Sequence, residues 1–251
     1  MFHLIAYDSS IANGSVFLQV NAVAPDPFSN PQNNNYVIGD LPYIIGATMF
    51  GVTAQRLQLR SPTLLQVFNN DIVPVRRSAL ATNILPNWSD LSANPLKLKN
   101  SEQLSAYAIQ GAVGAEREYI GVLLADGPVR PVTGQIFTAR FTGTTTLVAD
   151  SWTTCVMTAE QNLQVGTYTV VGARCKTATG VFFRVGTQGY AWRPGGVVGS
   201  DDMFPDPRQF RYGELGVWFT FKNTQTIALD VLATAGDTAE TLELDVIFQP
   251  S

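Results

Sequence analysis

The chain has 251 residues, enough for one large domain or two modest ones, each with its own core. It is 45% apolar but only 14% charged, against roughly 25% in ordinary soluble domains, so it is either a β-rich protein with neutral polar faces or a surface largely covered by copies of itself. Net charge is −4 and the basic residues are scattered, with Arg76-Arg77 the one adjacent pair, which leaves sequence-independent nucleic-acid binding without an electrostatic footing.

Taken in order, Met1–Tyr7 lacks a basic n-region and turns polar at once, so it does not read as a signal peptide. Ser15–Val23 alternates as a strand, with Val16, Leu18 and Val20 on one face and Phe17 and Gln19 on the other. Residues 25–35 hold three prolines and a run of amides and must be a long loop, with Phe28 inside it as an interface candidate. Tyr43–Phe50 is the nearest thing to a membrane span and is far too short, so no transmembrane helix is expected. Gly51–Arg60 resumes the strand pattern, Ser61-Pro62 breaks it, and Leu64–Phe68 reads as another short run. Residues 76–95 are irregular. Asn100–Ala115 could be helical by its capping-box spacing, but Leu104, Ala106, Ala108 and Gln110 alternate, so it is assigned as strand. Tyr119–Leu124 closes the first half.

The segment Ala125–Thr133 carries two prolines and Gly127, which no helix or central strand can cross. It divides the chain into an N-terminal sandwich (1–126), a Gly/Pro joint (127–131) and a C-terminal sandwich (132–251). In the second half, 135–141, 152–159, 168–175, 181–185, 215–221, 227–233 and 242–248 each read as strands separated by turn residues, which suits a jelly roll. In the last strand, Leu242, Leu244, Val246 and Phe248 are expected to face inward, and Glu243 and Asp245 outward. The predicted fold is all-β, with two tandem antiparallel β-sandwiches, the second jelly-roll-like.

Chemistry-bearing groups are few. The one histidine, His3, sits at the N-terminus, which disfavours a Ser-His-Asp or Cys-His arrangement. Cys155 and Cys175 lie in strand-like runs and read as buried thiols. Two cysteines exclude a four-cysteine zinc site. Two acidic groups, Asp201, Asp202, Asp206 with Glu214, and Glu240, Glu243 with Asp245, could in principle serve glycoside cleavage, and the first could bind Ca²⁺. The stronger reading is a solvated loop and an outward strand face. Gly195–Ser200 is glycine-rich but lacks the lysine of a phosphate loop. Tyr190, Trp192, Tyr212 and Trp218 could form a sugar-stacking platform or belong to the core. Trp192, Arg193, Arg208, Arg211 and Tyr212 concentrate the residue types favoured at interfaces in one long break, making it the segment expected to face a partner. No catalytic residue, cofactor site or metal site is assigned.

Arg56–Leu64, Asp126–Val129, Trp192–Gly195, Phe210–Gly216 and Asp237–Glu240 resemble segments of phage-type virion proteins built from jelly-roll-like sandwiches. The resemblance implies a capsid protein that self-assembles without a cofactor, resides in the virion after assembly in the host cytoplasm, and partners copies of itself and other virion proteins. Jelly-roll coats that wrap single-stranded genomes often carry a basic N-terminal arm. This chain has none, which puts direct genome contact in doubt. The alternatives are a carbohydrate-binding sandwich using Trp192 and Tyr212, and a glycoside hydrolase using Asp201, Asp202 or Glu214.

Overall fold

In the computed structural model the regular structure is almost entirely strand; the structure describes residues 1–30, 34–51, 53–67, 70–72, 75–76, 88–111, 114–199 and 211–250. The chain divides into two compact units, Leu4–Pro128 and Val129–Ser251, with Met1–His3 belonging to the second. The sequence reading places those three residues in the N-terminal span 1–126.

The N-terminal unit holds β1 (Phe2–Ile11), β2 (Leu18–Val20), β3 (Ser29–Asn30), β4 (Asn35–Val37), β5 (Tyr43–Gly51), β6 (Ala54–Arg60), α1 (Pro62–Val67), β7 (Asn70–Ile72), β8 (Val75–Arg76), β9 (Ser89–Asp90), β10 (Leu96–Lys97), β11 (Gln103–Gln110) and β12 (Glu116–Ala125). One sheet runs β1-β12-β5, with β8, β9 and β10 each paired to β5. In the other, β11 pairs with β6, β4 and β2, and β7 lies beyond β6. The apolar run Tyr43–Phe50 is the central strand of the first sheet, not a membrane segment, and both its faces are covered.

The expected strand over 64–68 is a correction. Residues Pro62–Val67 form a short helix, and Phe68 lies outside the described residues. The local chemistry explains it. Ser61 Oγ accepts the Leu64 N–H at 3.1 Å as an N-cap, and Pro62 occupies the first helical position, where its missing N–H costs nothing. Glu102 adds to the cap by accepting the Thr63 N–H and the Thr63 hydroxyl. Val16, expected on a strand face, precedes β2 and is exposed.

The C-terminal unit holds β13 (Phe137–Gly143), β14 (Trp152–Ala159), β15 (Gly166–Lys176), β16 (Gly180–Thr187), β17 (Gly195–Val197), β18 (Phe219–Lys222), β19 (Ile227–Ala233) and β20 (Glu240–Pro250). Among the described residues its eight strands form two antiparallel rows, β13-β20-β15-β18 and β14-β19-β16-β17, joined where β13 meets β14 at Phe141 and Thr142 and by a bridge between Lys176, at the end of β15, and Gly199, just past β17. Numbered within the unit, the rows read 1-8-3-6 and 2-7-4-5, the interleaved double Greek key of a jelly roll. The N-terminal unit repeats this order. Its first, last and third long strands (β1, β12, β5) lie side by side, β8 to β10 fill the sixth place in fragments, β9 and β10 antiparallel to β5 and β8 parallel to it, and β2, β11, β6 and β7 make the second row. The chain is thus two jelly rolls in tandem, one more than the sequence indicated.

Period-2 alternation builds the C-terminal core. In β14, Cys155 and Met157 are buried while Thr154, Val156 and Thr158 are exposed; in β13, Ala139 and Phe141 are buried between exposed Thr138 and Arg140. The joint is pinned to this unit by backbone. Val132 N–H donates to the Gly213 carbonyl at 2.9 Å, and Gly213 N–H to the Val171 carbonyl at 2.9 Å. Gly213 (φ 82°) and Gly216 (φ 80°) are required there, because a Cβ would lie 2.1 Å from the Val132 carbonyl oxygen and 2.4 Å from that of Arg130.

Candidate assembly surfaces

The six residues singled out from the sequence fall in different environments. Phe28 is a correction. It is buried at 9% exposure, and its ring lies so close to Gly39 that a Cβ there would meet it at 3.0 Å. It fills the N-terminal core because the Pro-rich loop turns inward at that point, where Asp26 Oδ1 accepts the Phe28 N–H at 3.0 Å. Arg211 is a second correction. Its guanidinium makes a fork to Asp245, Nε to Oδ2 at 2.8 Å and Nη2 to Oδ1 at 2.5 Å, and both side chains are buried. That hydrogen bonding with Asp245 lifts the Arg211 pKa despite the desolvation that opposes it. Asp245 also accepts the Tyr212 N–H at 3.3 Å. The outward assignment of Asp245 and Glu243 holds for the face of the strand but not for the exposure expected of it. They do lie on the outer face of β20, but the turn after residue 210 folds back over Asp245, and Arg174 pairs with Glu243. Glu240 is buried too, with no hydrogen-bond partner for its carboxyl oxygens among the described residues, and burial raises its pKa.

Arg193 and Trp192 belong to the loop after β16. Asp230 on β19 stands in register with Thr154 on β14 and Arg184 on β16, so the three share one outer-face row. Asp230 accepts from Arg184 Nε (2.7 Å), Arg193 Nη1 (2.6 Å) and the Thr154 hydroxyl (2.6 Å). Arg184 also stacks on Trp152, 4.2 Å from the ring centroid. The loop is tied down again where the Arg193 backbone N–H donates to His3 Nδ1 at 3.0 Å and Trp192 meets the imidazole edge-on. Both residues are half-buried.

Several large apolar and aromatic side chains stay exposed around this loop and after residue 211. Tyr190 is 58% exposed, and Tyr212, lying under the Arg211 guanidinium at 4.5 Å, is 51% exposed. Val217 is 42% exposed. Met1, Thr187, Tyr190, Val217, Trp218, Phe219 and Thr220 line one groove of about 340 Å³. Arg208 and the aspartates 201, 202 and 206 lie outside the described residues; Glu214 is exposed. Of the four aromatics considered for a sugar platform, Trp218 is core.

Electrostatics argue against nucleophilic chemistry in this unit. Both thiols are buried and free. Burial, with the Glu240 carboxylate adding to it, pushes Cys155 up to about 12, and burial holds Cys175 well above its usual range, so neither supplies a thiolate at neutral pH. Among the described residues no group of three or more His, Cys, Asp or Glu is placed to hold a metal ion, and no helix is long and apolar enough to cross a membrane.

No pattern in the sequence marks a buried acid in the N-terminal unit. Glu118 on β12 faces Gly51 on β5, where a Cβ would lie 1.7 Å from its Oε2. It is fully buried, its oxygens have no hydrogen-bond partner among the described residues, and desolvation, reinforced by Glu116, raises its pKa to about 8. Only the pairing of glycine with glutamate across two strands could have revealed it, and that pairing needs the register.

Fold and surfaces together define the class: a tandem jelly-roll protein whose charges are drawn into buried pairs. No family model matches the chain, and no curated protein matches it. Among solved structures it matches the crystal structure of the major capsid protein P2 from bacteriophage PM2, with 12% identity, 99% of this chain and 98% of that chain covered, and a TM-score of 0.28. A superposition at that level decides nothing about this chain.

Proposed function

We propose that the chain is a structural subunit of a virion shell that assembles with copies of itself and works by rigidity, with no reaction to catalyse. The observation that carries this is the tandem jelly roll with few surface charges. Jelly rolls serve capsids, lectins and enzymes alike, so fold alone is not enough. Here the forked pairs Arg211–Asp245 and Arg117–Asp8 and the Arg184–Asp230–Arg193 cluster consume charge that an ordinary soluble protein would keep at its surface for solubility. The exposed Tyr190, Tyr212 and Val217 are the residue types that interfaces bury. In this reading the two sandwiches form the wall and their loops make the lateral contacts.

Purified protein examined by electron microscopy and sedimentation over a concentration series tests it. Closed particles or sheets are expected. A strictly monomeric protein at every concentration overturns it. Carbohydrate binding gains less support, because Trp192 is half-buried against His3 and Trp218 is in the core.

A further inference from the structure

We propose that the open edge of β18, together with the groove beside it, receives an extended segment of a second copy of this chain; this deepens the shell role above and rests on it. Among the described residues β18 pairs with β15 alone, so one side of Phe219–Lys222 is an unpaired row of backbone donors and acceptors. The other vulnerable edge in the same sheet is treated differently. Where β13 runs past the end of β14, Gln161 fills in for a strand. Its side chain accepts the Arg140 N–H (3.3 Å) and donates to the Thr138 carbonyl (3.5 Å), and Glu160 N–H donates to the Arg140 carbonyl (3.0 Å). Among the described residues no such cap covers Phe219–Phe221, and at Lys222 a local side chain, Gln225, takes the backbone N–H.

The groove lies along this edge. Val217, Trp218, Phe219 and Thr220 form its near wall, Thr187, Tyr190 and Met1 the rest, and none of these side chains is charged. Trp218 buries its indole N–H there without an acceptor among the described residues. An open strand edge beside a side-chain pocket is the geometry of β-augmentation, in which main-chain bonds hold the added strand and the pocket selects one of its side chains. The occupant must be extended and uncharged. With only 14% charged residues, the connections between this chain's own strands include uncharged segments that a second copy can present. An edge of four residues covers well under the ~800 Å² per partner that a stable pair needs. The contact would hold only where neighbours repeat it, as in a shell, and dilute subunits would stay apart.

The test uses purified full-length protein alone. A photoreactive phenylalanine analogue replaces Val217, ¹⁵N-labelled and unlabelled copies are mixed before assembly, and the particles are irradiated and digested for mass spectrometry. The expected result is cross-linked peptides joining one labelled to one unlabelled copy. In parallel, V217K/T220K should raise the concentration needed for assembly at least tenfold while leaving the circular dichroism and thermal melting of the free subunit unchanged. If that variant fails to fold, Y190S, on the opposite wall, replaces it. Cross-links confined to single copies, or edge variants that assemble at the wild-type concentration, overturn the edge contact while particles still uphold the shell role. A wild-type protein that forms no particle overturns both.

Discussion

Replacing Glu118 with Gln should change how the N-terminal unit's stability depends on pH. A carboxyl with an ordinary value of 4.5 titrates at about 8 in the folded unit. At 1.36 kcal/mol per tenfold, ionising it in place costs on the order of 5 kcal/mol. The folded value lies above the unfolded one, so the unfolded chain gives up this proton first as pH rises. Glu118 therefore contributes nothing below about pH 4.5, erodes stability progressively from there to about pH 8, and carries its full penalty above that. Gln is neutral throughout. It has polar atoms of its own to bury at the same spot, a cost of ~1–3 kcal/mol that does not vary with pH. The E118Q advantage should thus be smallest near pH 4.5 and grow by several kcal/mol toward pH 8. Urea unfolding at half-unit pH steps, followed by amide exchange on β5 and β12 so that the N-terminal unit alone is read, measures the difference. Parallel pH profiles for the two proteins would refute the buried, unpaired carboxyl.

Three further outcomes are expected. D245A strands the buried Arg211 guanidinium and should cost ~3–5 kcal/mol of stability in the C-terminal unit, read by thermal unfolding, with R211L/D245L recovering much of it. Asp237 accepts from the Thr177 hydroxyl (2.6 Å) and the Ala178 and Thr238 N–H groups (2.8 and 2.7 Å), which hold its pKa below the usual range. Its support should be complete above about pH 4 and fade as pH falls through the depressed value, so D237N should melt lower at pH 7 but converge with wild type in acid. Cys155 and Cys175 should resist iodoacetamide at pH 8 in the native protein and react at once in urea, as mass spectrometry of the intact chain would show.

The C-terminal strands were legible because turn residues punctuate them and one face of each is apolar, as in β14 and β20. Alternation tells which face a side chain occupies but not whether another segment of the chain folds over that face. Asp245 was misjudged for this reason, since its cover comes from Arg211, 34 residues earlier in the chain. Phe28 and Arg211 carried interface-type identities into buried positions for the same reason. In the N-terminal half the jelly-roll order was hidden because the sixth strand is broken into two-residue pieces, β8, β9 and β10, too short to show any period. Helix α1 was missed because six residues hold fewer than two turns of apolar spacing, and only the Ser-Pro cap announces it.

The first and last strands of the C-terminal jelly roll are antiparallel neighbours, with Phe137 opposite Val246. The polypeptide therefore comes into this unit and departs from it at the same pole. A peptide tag grafted at Pro250 would emerge at that pole, away from the opposite ends of the same strands at Gly143 and Lys176. For anyone wishing to display cargo on this protein, that pole is the natural place to graft it.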